Sequence, residues 1–486
     1  MALVHPVNLS ARSAALLLAD WRDGTDVPAY EALSDAIRVL VIDGRVPLGV
    51  RLPAERGLAE ALGVSRTTVA NAYARLREDG FVVSLRGSGS VVHLPRDLAG
   101  RPDPERLGGV VAGDLLDLRK AALHAAPEVG EAVERAVRHV PAALAGIGYD
   151  TVGDPGLRAV IAARYTERGL PTDPSQVVVT IGAQHAIALL ARVLVRRGDA
   201  VLVESPTYPH AHEAFREVGA RLVGVPVDAR TGWDAAALET TLRRTAPSVA
   251  YVMPELHNPT GATMAPGTRD LLLSVAAATG TVVVADETMG ELRIDGEPAP
   301  PLAAADPSGA SVVMVGSAAK VFWGGLRIGW IRAAPDLLQR LLLARPTGDL
   351  GTPVLDQLVA RELVPRTAAV LEARRSFLRT GRDDVVAALR TRLPEWDVPS
   401  PAGGLTTWVG IGRPVSSALV LAARAEGVVL ASGGVFGPDG GFERYLRVPF
   451  TMGAVDRTRL VDVLERSWAR IGGEGAGTRG SLAAVV

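Results

Sequence analysis

The stretch GSAAKVFWGGLRIGW, Gly316 to Trp330, holds one of only two lysines in a chain with 52 basic residues. The other is Lys120, so 52 − 2 leaves 50 arginines. Arginine carries surface charge as well as lysine does, but it keeps its proton near neutral pH and cannot act as an amine nucleophile. A surviving lysine therefore invites a chemical explanation. Lys320 follows an apolar run and precedes a Gly-Gly turn, which predicts a crevice at the carboxyl end of a sheet, where ligands of α/β proteins lie. A partly desolvated amine there suits a Schiff base with a carbonyl cofactor. Lys120, in DLRKAALHAAP, sits among polar neighbours and reads as a solvated charge.

Other residues would complete such a site. Gly182, Ala183 and Gln184 open a helix directly after a strand, and free N–H groups at a helix start bind phosphate; a plain strand-to-helix turn has the same spelling. Tyr208 in ESPTYP offers a ring to stack on a flat heteroaromatic, or simply packs. Asn258 in HNPTG is a side-chain donor beyond another strand. In VVVADETMGEL the strand ends on Asp286, a carboxylate that either pairs with a protonated ring nitrogen or caps a helix. Arg327, seven residues after Lys320, supplies a guanidinium for a phosphate.

A second set lies near the N-terminus. Leu33, Ile37, Leu40 and Val41 recur at helical spacing, ERGLAEALG (Glu55 to Gly63) is a short helix closed by glycine, and Ser65 caps SRTTVANAYARLRED. Val69, Ala72, Tyr73 and Leu76 form the apolar stripe of that last helix. Ser65, Arg66, Thr67 and Thr68 are left at its free end, suited to phosphates and base edges in a major groove. FVVSLRGSGSVV, Phe81 to Val92, reads as a hairpin tipped by Arg86 and Gly87 that could enter a minor groove. A helical cap with a hairpin is the bland alternative. Between Arg51 and Arg86 six arginines face four acids, so any affinity for DNA should depend on dimerisation and on salt.

The elements that must position these residues are legible in outline. QVVVTIG (176–182), AVLVES (200–205), SVAYVMP (248–254), TVVVADE (281–287) and SVVMVGS (311–317) are continuous apolar runs alternating with helices, which predicts a mostly parallel α/β sheet buried on both faces. PAGGLTTWVGIG and YLRVPF suit a smaller α+β lobe. The predicted division is a DNA-binding unit over 1–94 with its core at about 28–93, a Pro/Gly-rich linker over 95–113, a large unit over 114–471 and a frayed tail over 472–486. Within the large unit, the main part spans about 150–340 and the C-terminal lobe about 370–471. A net charge of −1 excludes a protein that grips nucleic acid over its whole surface. With no cysteine there is no disulfide or thiolate metal site, and the eight histidines show no metal-ligand spacing. No apolar run spans a membrane, so residence in the cytoplasm is expected.

Over LPAERGLAEALGVSRTTVANAYARLREDGFVVSLRGSGSVV the chain resembles the winged helix-turn-helix of GntR-type bacterial regulators. That resemblance places Arg56, Arg66, Thr67, Thr68 and Gly87 at DNA-contact positions, with Arg51 beside them. From Leu115 to Ile471 the motifs, in their order and spacing, resemble the fold-type I aminotransferases, which hold pyridoxal 5′-phosphate. The resemblance implies an internal aldimine at Lys320, Ser317 on the phosphate, Tyr149 reaching the partner subunit's phosphate in a homodimer, and Arg447 on a substrate α-carboxylate. The two together resemble the MocR subfamily. What this implies is a transcriptional regulator that binds double-stranded operator DNA and senses a small amino compound by aldimine formation. An active aminotransferase with an accessory DNA-binding unit is the alternative, and a pyridoxal-type fold kept only for dimerisation is a third reading.

Three departures from the family pattern bear on catalysis. Where the family has a tyrosine two or three residues after the ring-nitrogen aspartate, this chain has Thr288 and Met289. Ala319 replaces the serine before the lysine. Arg119 to Leu123 lacks the usual glycine. Cofactor binding is expected to survive these changes, and efficient transamination is not.

Overall fold

The computed structural model describes residues 9–18, 21–22, 27–42, 46, 50–85, 89–93, 115–306, 312–437 and 441–473. The wing tip, with Arg86 and Gly87, the whole of the linker and nearly all of the tail lie outside the described residues.

The N-terminal unit holds α1 (Ala11–Leu17), α2 (Ala29–Ile42), α3 (Glu55–Leu62), α4 (Arg66–Glu78) and a hairpin of β1 (Val82–Leu85) and β2 (Gly89–Val92). The stripe read from the sequence closes its core, since Val69, Ala72, Tyr73 and Leu76 are buried against Leu33, Ile37, Leu40 and Leu58. Ser65 is the N-cap of α4, its oxygen accepting from the Thr68 N–H at 3.0 Å. Tyr73 is buried and donates its hydroxyl hydrogen to the Pro53 carbonyl at 3.0 Å, pinning α4 to the chain before α3. A core beginning at about residue 28 leaves out α1. Its Ala14 and the following Leu18 are buried in the same cluster.

The large unit is built on an eight-stranded sheet. Its strands are β4 (Val177–Thr180), β5 (Ala200–Ser205), β6 (Arg221–Asp228), β7 (Gly232–Trp233), β8 (Val249–Val252), β9 (Val282–Asp286), β10 (Val312–Ser317) and β11 (Gly329–Arg332). Their order is β4-β11-β10-β9-β8-β5-β6-β7. The pairs β5–β6, β5–β8, β8–β9 and β9–β10 are parallel, whereas β11 runs antiparallel to both its neighbours. Strict alternation divides the side chains between two cores. Val177, Val179, Leu202, Ala250, Val252, Val283 and Ala285 face one, and Val178, Val201, Val203, Val249, Tyr251 and Val284 face the other. That is why these strands read as unbroken apolar runs.

The C-terminal lobe packs the 26-residue helix Thr367–Arg392 and the helix Ala454–Gly473 with a small sheet of β12 (Thr406–Gly410), β14 (Ala431–Ser432) and β15 (Tyr445–Pro449) in the order β12-β15-β14. β3 (Leu116–Asp117) pairs in parallel with β13 (Val428–Val429), so the chain is tied to this lobe as it leaves the linker.

The N-terminal core shares no residue with the two cores of the large unit. Leu33 is fully buried there, and Leu33→Ala should cost the N-terminal unit about 2–5 kcal/mol. Differential scanning calorimetry should show one transition shifted down and the transition of the large unit unmoved. A common shift of both would mean that the two units melt together.

Candidate functional site

The candidate residues converge where β9, β10 and the turn before β11 end. β9 delivers Asp286, which is buried. One of its oxygens accepts from the Tyr251 hydroxyl at 2.7 Å and the other from the Thr288 N–H at 2.9 Å. Sequence reasoning missed Tyr251, although it is the one polar side chain in an otherwise apolar strand. Burial, with Asp286 beside it, holds its phenol well above the ordinary range, so it remains a donor and fixes the carboxylate in place.

Three residues beyond the end of β10 stands Lys320, partly buried, with its Nζ donating to the Ala121 carbonyl at 2.9 Å. Burial and then the nearby Arg447 guanidinium lower its amine to about 8, with Asp286 acting the other way. Arg447 enters from β15 in the C-terminal lobe. It is buried, lies over the Phe436 ring at 4.8 Å, donates to Asn258 Oδ1 at 3.4 Å and hydrogen-bonds the Arg119 carbonyl. Its Nε is buried without a partner. Desolvation lowers this guanidinium to about 10, which still leaves it cationic at neutral pH. Tyr208, largely buried, is pushed up to about 12 by desolvation first and then by Asp286, with Arg447 and Arg327 opposing. Asp286, Lys320, Arg447, Asn258 and Tyr208 thus share one crevice.

A second group forms an anion cradle at its rim. Gly182 has φ of 81° and is the N-cap of the helix Ala183–Leu194, which no side chain caps; its first N–H groups are open to an anion. A Cβ on Gly182 would lie 2.9 Å from Arg327 Nη2 and push that side chain aside, and the positive φ itself favours glycine there. Arg327 also donates to the Ile181 carbonyl at 3.2 Å. Gly329 fits beneath the turn, where a Cβ would come within 2.5 Å of the Gly182 carbonyl carbon. Gln184 turns aside, its Nε2 donating to the His210 carbonyl at 2.9 Å. Ser317 spends its hydroxyl hydrogen on the Ile328 carbonyl at 3.2 Å and accepts from the Ala319 N–H at 3.1 Å. A phosphate would have to take that donor from Ile328. Tyr149 is 70% exposed and is not brought into the crevice of its own chain.

An aldehyde-bearing ring with a phosphate fits this donor set. The amine has lost part of its hydration, a carboxylate stands at the strand end, and a glycine turn beside Arg327 can hold the phosphate. The missing tyrosine has no substitute, because Met289 is buried in the apolar core and Thr288 has only a short side chain. Losing one hydrogen bond to a charged oxygen costs about 1.5–3 kcal/mol.

On the N-terminal unit, Arg56, Ser65, Arg66 and Thr67 are exposed and Thr68 is half-buried. Ser65 Oγ lies 2.8 Å from Thr68 Oγ1, so this pair is committed to capping while Arg66 and Thr67 project from the end of α4. Arg66 Nε lies 3.5 Å from Glu55 Oε2 on α3. Arg51 is bridged to Val91 and packs over Gly89 at the base of the wing. Among the described residues no His/Cys/Asp/Glu group could hold a metal, and no helix is long and apolar enough to cross a membrane.

Burial disfavours the charged ammonium of Lys320. Its cost is therefore carried in full below about pH 8, and it is relieved as pH rises toward the ordinary lysine value of about 10.4. In the cofactor-free protein, acylation of Lys320 followed by peptide mass spectrometry should rise with a midpoint of about 8. A midpoint at the ordinary lysine value would show that the crevice does not desolvate the amine.

Comparison with known proteins agrees with both halves. Residues 116–464 match the aminotransferase class I and II family, and residues 29–92 match the bacterial regulatory proteins of the gntR family. The probable rhizopine catabolism regulatory protein MocR of Rhizobium meliloti is 32% identical over 396 residues, covering 76% of this chain and 79% of that one. The HTH-type transcriptional regulator YdfD of Bacillus subtilis is 27% identical and covers 88% of this chain and 94% of its own. Among solved structures, the α-aminoadipate aminotransferase LysN of Thermus thermophilus, complexed with N-(5′-phosphopyridoxyl)-L-leucine, superposes with a TM-score of 0.68 at 29% identity. It covers 78% of this chain and 100% of its own. With an aminotransferase domain that implies pyridoxal phosphate and a gntR-type DNA-binding domain before it, the chain belongs to the class I and II aminotransferase family and, within it, to the MocR-type transcriptional regulators.

Proposed function

We propose that this regulator senses a small amino compound bearing a carboxylate, and that the crevice around Lys320 is where it does so. The observation that carries this reading is one partly buried amine, held by the Ala121 carbonyl at 2.9 Å, with Arg447 and Asp286 near enough to act on its charge. Pyridoxal phosphate supplies, when bound, an aldehyde that condenses with a primary amine and releases water. Lys320 would be the amine that holds it when no effector is present. Asp286, fixed by Tyr251, would pair with the ring nitrogen, Asn258 would donate to the phenolic oxygen, and Tyr208 would stack on the ring. The backbone N–H groups that open the helix at Gly182, Ala183 and Gln184, with Arg327 and a reoriented Ser317 hydroxyl, would hold the phosphate. Arg447 takes the effector's carboxylate through the guanidinium whose Nε is unpartnered.

The working form is a homodimer, with Tyr149 reaching the partner's phosphate. Supporting this, Val137, Leu144, Ile147, Tyr149, Leu350 and Leu355 are all exposed, apolar side chains of the kind that mark an interaction surface where they cluster. DNA is contacted by Arg51, Arg56, Arg66, Thr67 and Thr68, with Ser65 capping the helix that presents them and the wing tip at Arg86 and Gly87 completing the set. The protein acts in the cytoplasm, on an operator whose two half-sites match the dimer.

A second reading, an active aminotransferase, is favoured by the 2-aminoadipate transaminase of Thermus thermophilus, which is 32% identical over 74% of this chain. It predicts conversion of the bound cofactor to its pyridoxamine form by an amino acid, with release of the oxo acid. The loss of the tyrosine at Thr288 and Met289 weighs against efficient turnover.

Borohydride treatment of the loaded protein should leave a pyridoxyl adduct on Lys320. Lys320→Ala should lose that adduct and the visible absorption band while operator binding persists; an adduct on another residue would remove Lys320 from this role. Arg66→Ala should weaken operator binding by about 1–3 kcal/mol if it reads a base. Competition titrations with mismatched DNA distinguish this from a phosphate contact, which would weaken all sequences alike.

A further inference from the structure

The turn at Gly182 is braced from behind by a polar chain, partly buried at His185 and Asp349 and fully buried at Arg345, that the site's own residues do not explain. The peptide of Ile181, immediately before Gly182, is held on both sides. Its carbonyl accepts from Arg327 at 3.2 Å, and its N–H donates to His185 Nδ1 at 3.1 Å. Because Nδ1 accepts, the ring proton sits on Nε2, which lies 2.9 Å from Asp349 Oδ2, a close electrostatic approach rather than an aligned hydrogen bond, since that oxygen is buried with no hydrogen-bond donor. The other Asp349 oxygen accepts from Arg345 Nε at 2.9 Å.

Arg345 is fully buried, which for a guanidinium requires every donor to be met. It reaches the Val179 carbonyl at 2.7 Å, Thr352 Oγ1 at 2.9 Å and the Thr151 carbonyl. The surrounding backbone is correspondingly tight. Val179 N–H donates to the Val152 carbonyl at 2.9 Å, and a Cβ on Gly351 would come within 2.3 Å of the Asp150 carbonyl oxygen. One continuous chain of contacts thus runs from the cradle to the segment that carries Tyr149 and adjoins the exposed Ile147.

We propose that His185 is a positioning residue: it fixes the Ile181 peptide that shapes the phosphate turn and, through Asp349 and Arg345, links that turn to the Tyr149–Val152 segment and its apolar face. Its ligand arm rests on the reading of the cradle as the site of pyridoxal phosphate. The geometry has a plain consequence. A group that acts through the phosphate matters for pyridoxal phosphate and not for pyridoxal, whereas a group that merely stabilises the fold matters equally for both.

The test uses the full chain with His185→Phe, which keeps the volume and removes both nitrogens, and His185→Gln, which keeps an acceptor and a donor. His185→Phe should weaken pyridoxal phosphate roughly tenfold, in keeping with the loss of one or two hydrogen bonds, and should leave pyridoxal affinity within about threefold; His185→Gln should recover most of the loss. Equal weakening of both ligands, or of neither, overturns the proposal. If His185→Phe does not fold, Asp349→Asn carries the same comparison with the same expected sign. Hydrogen exchange in the cofactor-free protein reads the linkage without any ligand. Protection should fall together at Ile181 and across residues 150–152 in His185→Phe, and a fall at one alone overturns the link. Should wild-type protein bind neither pyridoxal phosphate nor pyridoxal, the functional reading fails, and the exchange result still decides the role of His185.

Discussion

Everything in the large unit serves to hold one amine in a place where water does not fully hydrate it. Lys320 sits just past the end of β10 within the influence of a guanidinium, Arg447, and a carboxylate, Asp286, and burial is the largest of the three influences on its charge. Such a position needs rigid walls, since a cation that could swing into solvent would regain its hydration. The walls come from both parts of the unit. β9 and β10 fix Asp286 and the lysine turn in register, while β15 carries Arg447 in from the C-terminal lobe. A change in how the lobe sits on the sheet would move Arg447 relative to Lys320, so the charge balance of the crevice depends on the relative placement of sheet and lobe.

The sequence made the inner strands plain because burial on both faces leaves no room for polar alternation. The runs at 200–205 and 311–317 became β5 (Ala200–Ser205) and β10 (Val312–Ser317). Two strands were hidden for different reasons: β6 exposes several side chains and includes Gly224 and Pro226, whereas β11 lies inside the sheet between β4 and β10 and is mostly buried, but its four residues, Gly-Trp-Ile-Arg, do not spell an apolar run. In the site, Gly182 was legible because the turn demands a positive φ, Lys320 because lysine is almost absent from the chain, and Asp286 because a carboxylate ends an otherwise apolar run. Tyr251, His185 and the carbonyls of Arg119 and Ala121 were not, since their roles arise from contacts between residues distant along the chain.

The departures from the family pattern acquire a physical sense in the structure. The glycine-free stretch from Arg119 to Leu123 lies against the crevice, where the Arg119 carbonyl accepts from Arg447 and the Ala121 carbonyl from Lys320. With Met289 drawn into the apolar core, no phenol stands where the family supplies a donor to the ring oxygen. An oxygen left with one donor fewer is a less stable anion, and stabilising that anion serves turnover more than it serves binding. Losing the donor while keeping Lys320, Asp286 and the glycine turn is the pattern expected if the crevice serves occupancy more than conversion, as the proposed function has it.

Recognition alone does not regulate, because a ligand shifts only an equilibrium between states that it binds differently. The fold supplies a physical difference for an effector to exploit. Arg447 already hydrogen-bonds the Arg119 carbonyl, and a carboxylate arriving at that guanidinium competes for its N–H groups with a charge-assisted bond roughly twice as strong as a neutral one. Arg119 lies two residues beyond β3, which is tied to β13 of the C-terminal lobe, so the carbonyl for which such a carboxylate would compete belongs to the stretch of the large unit that follows the linker.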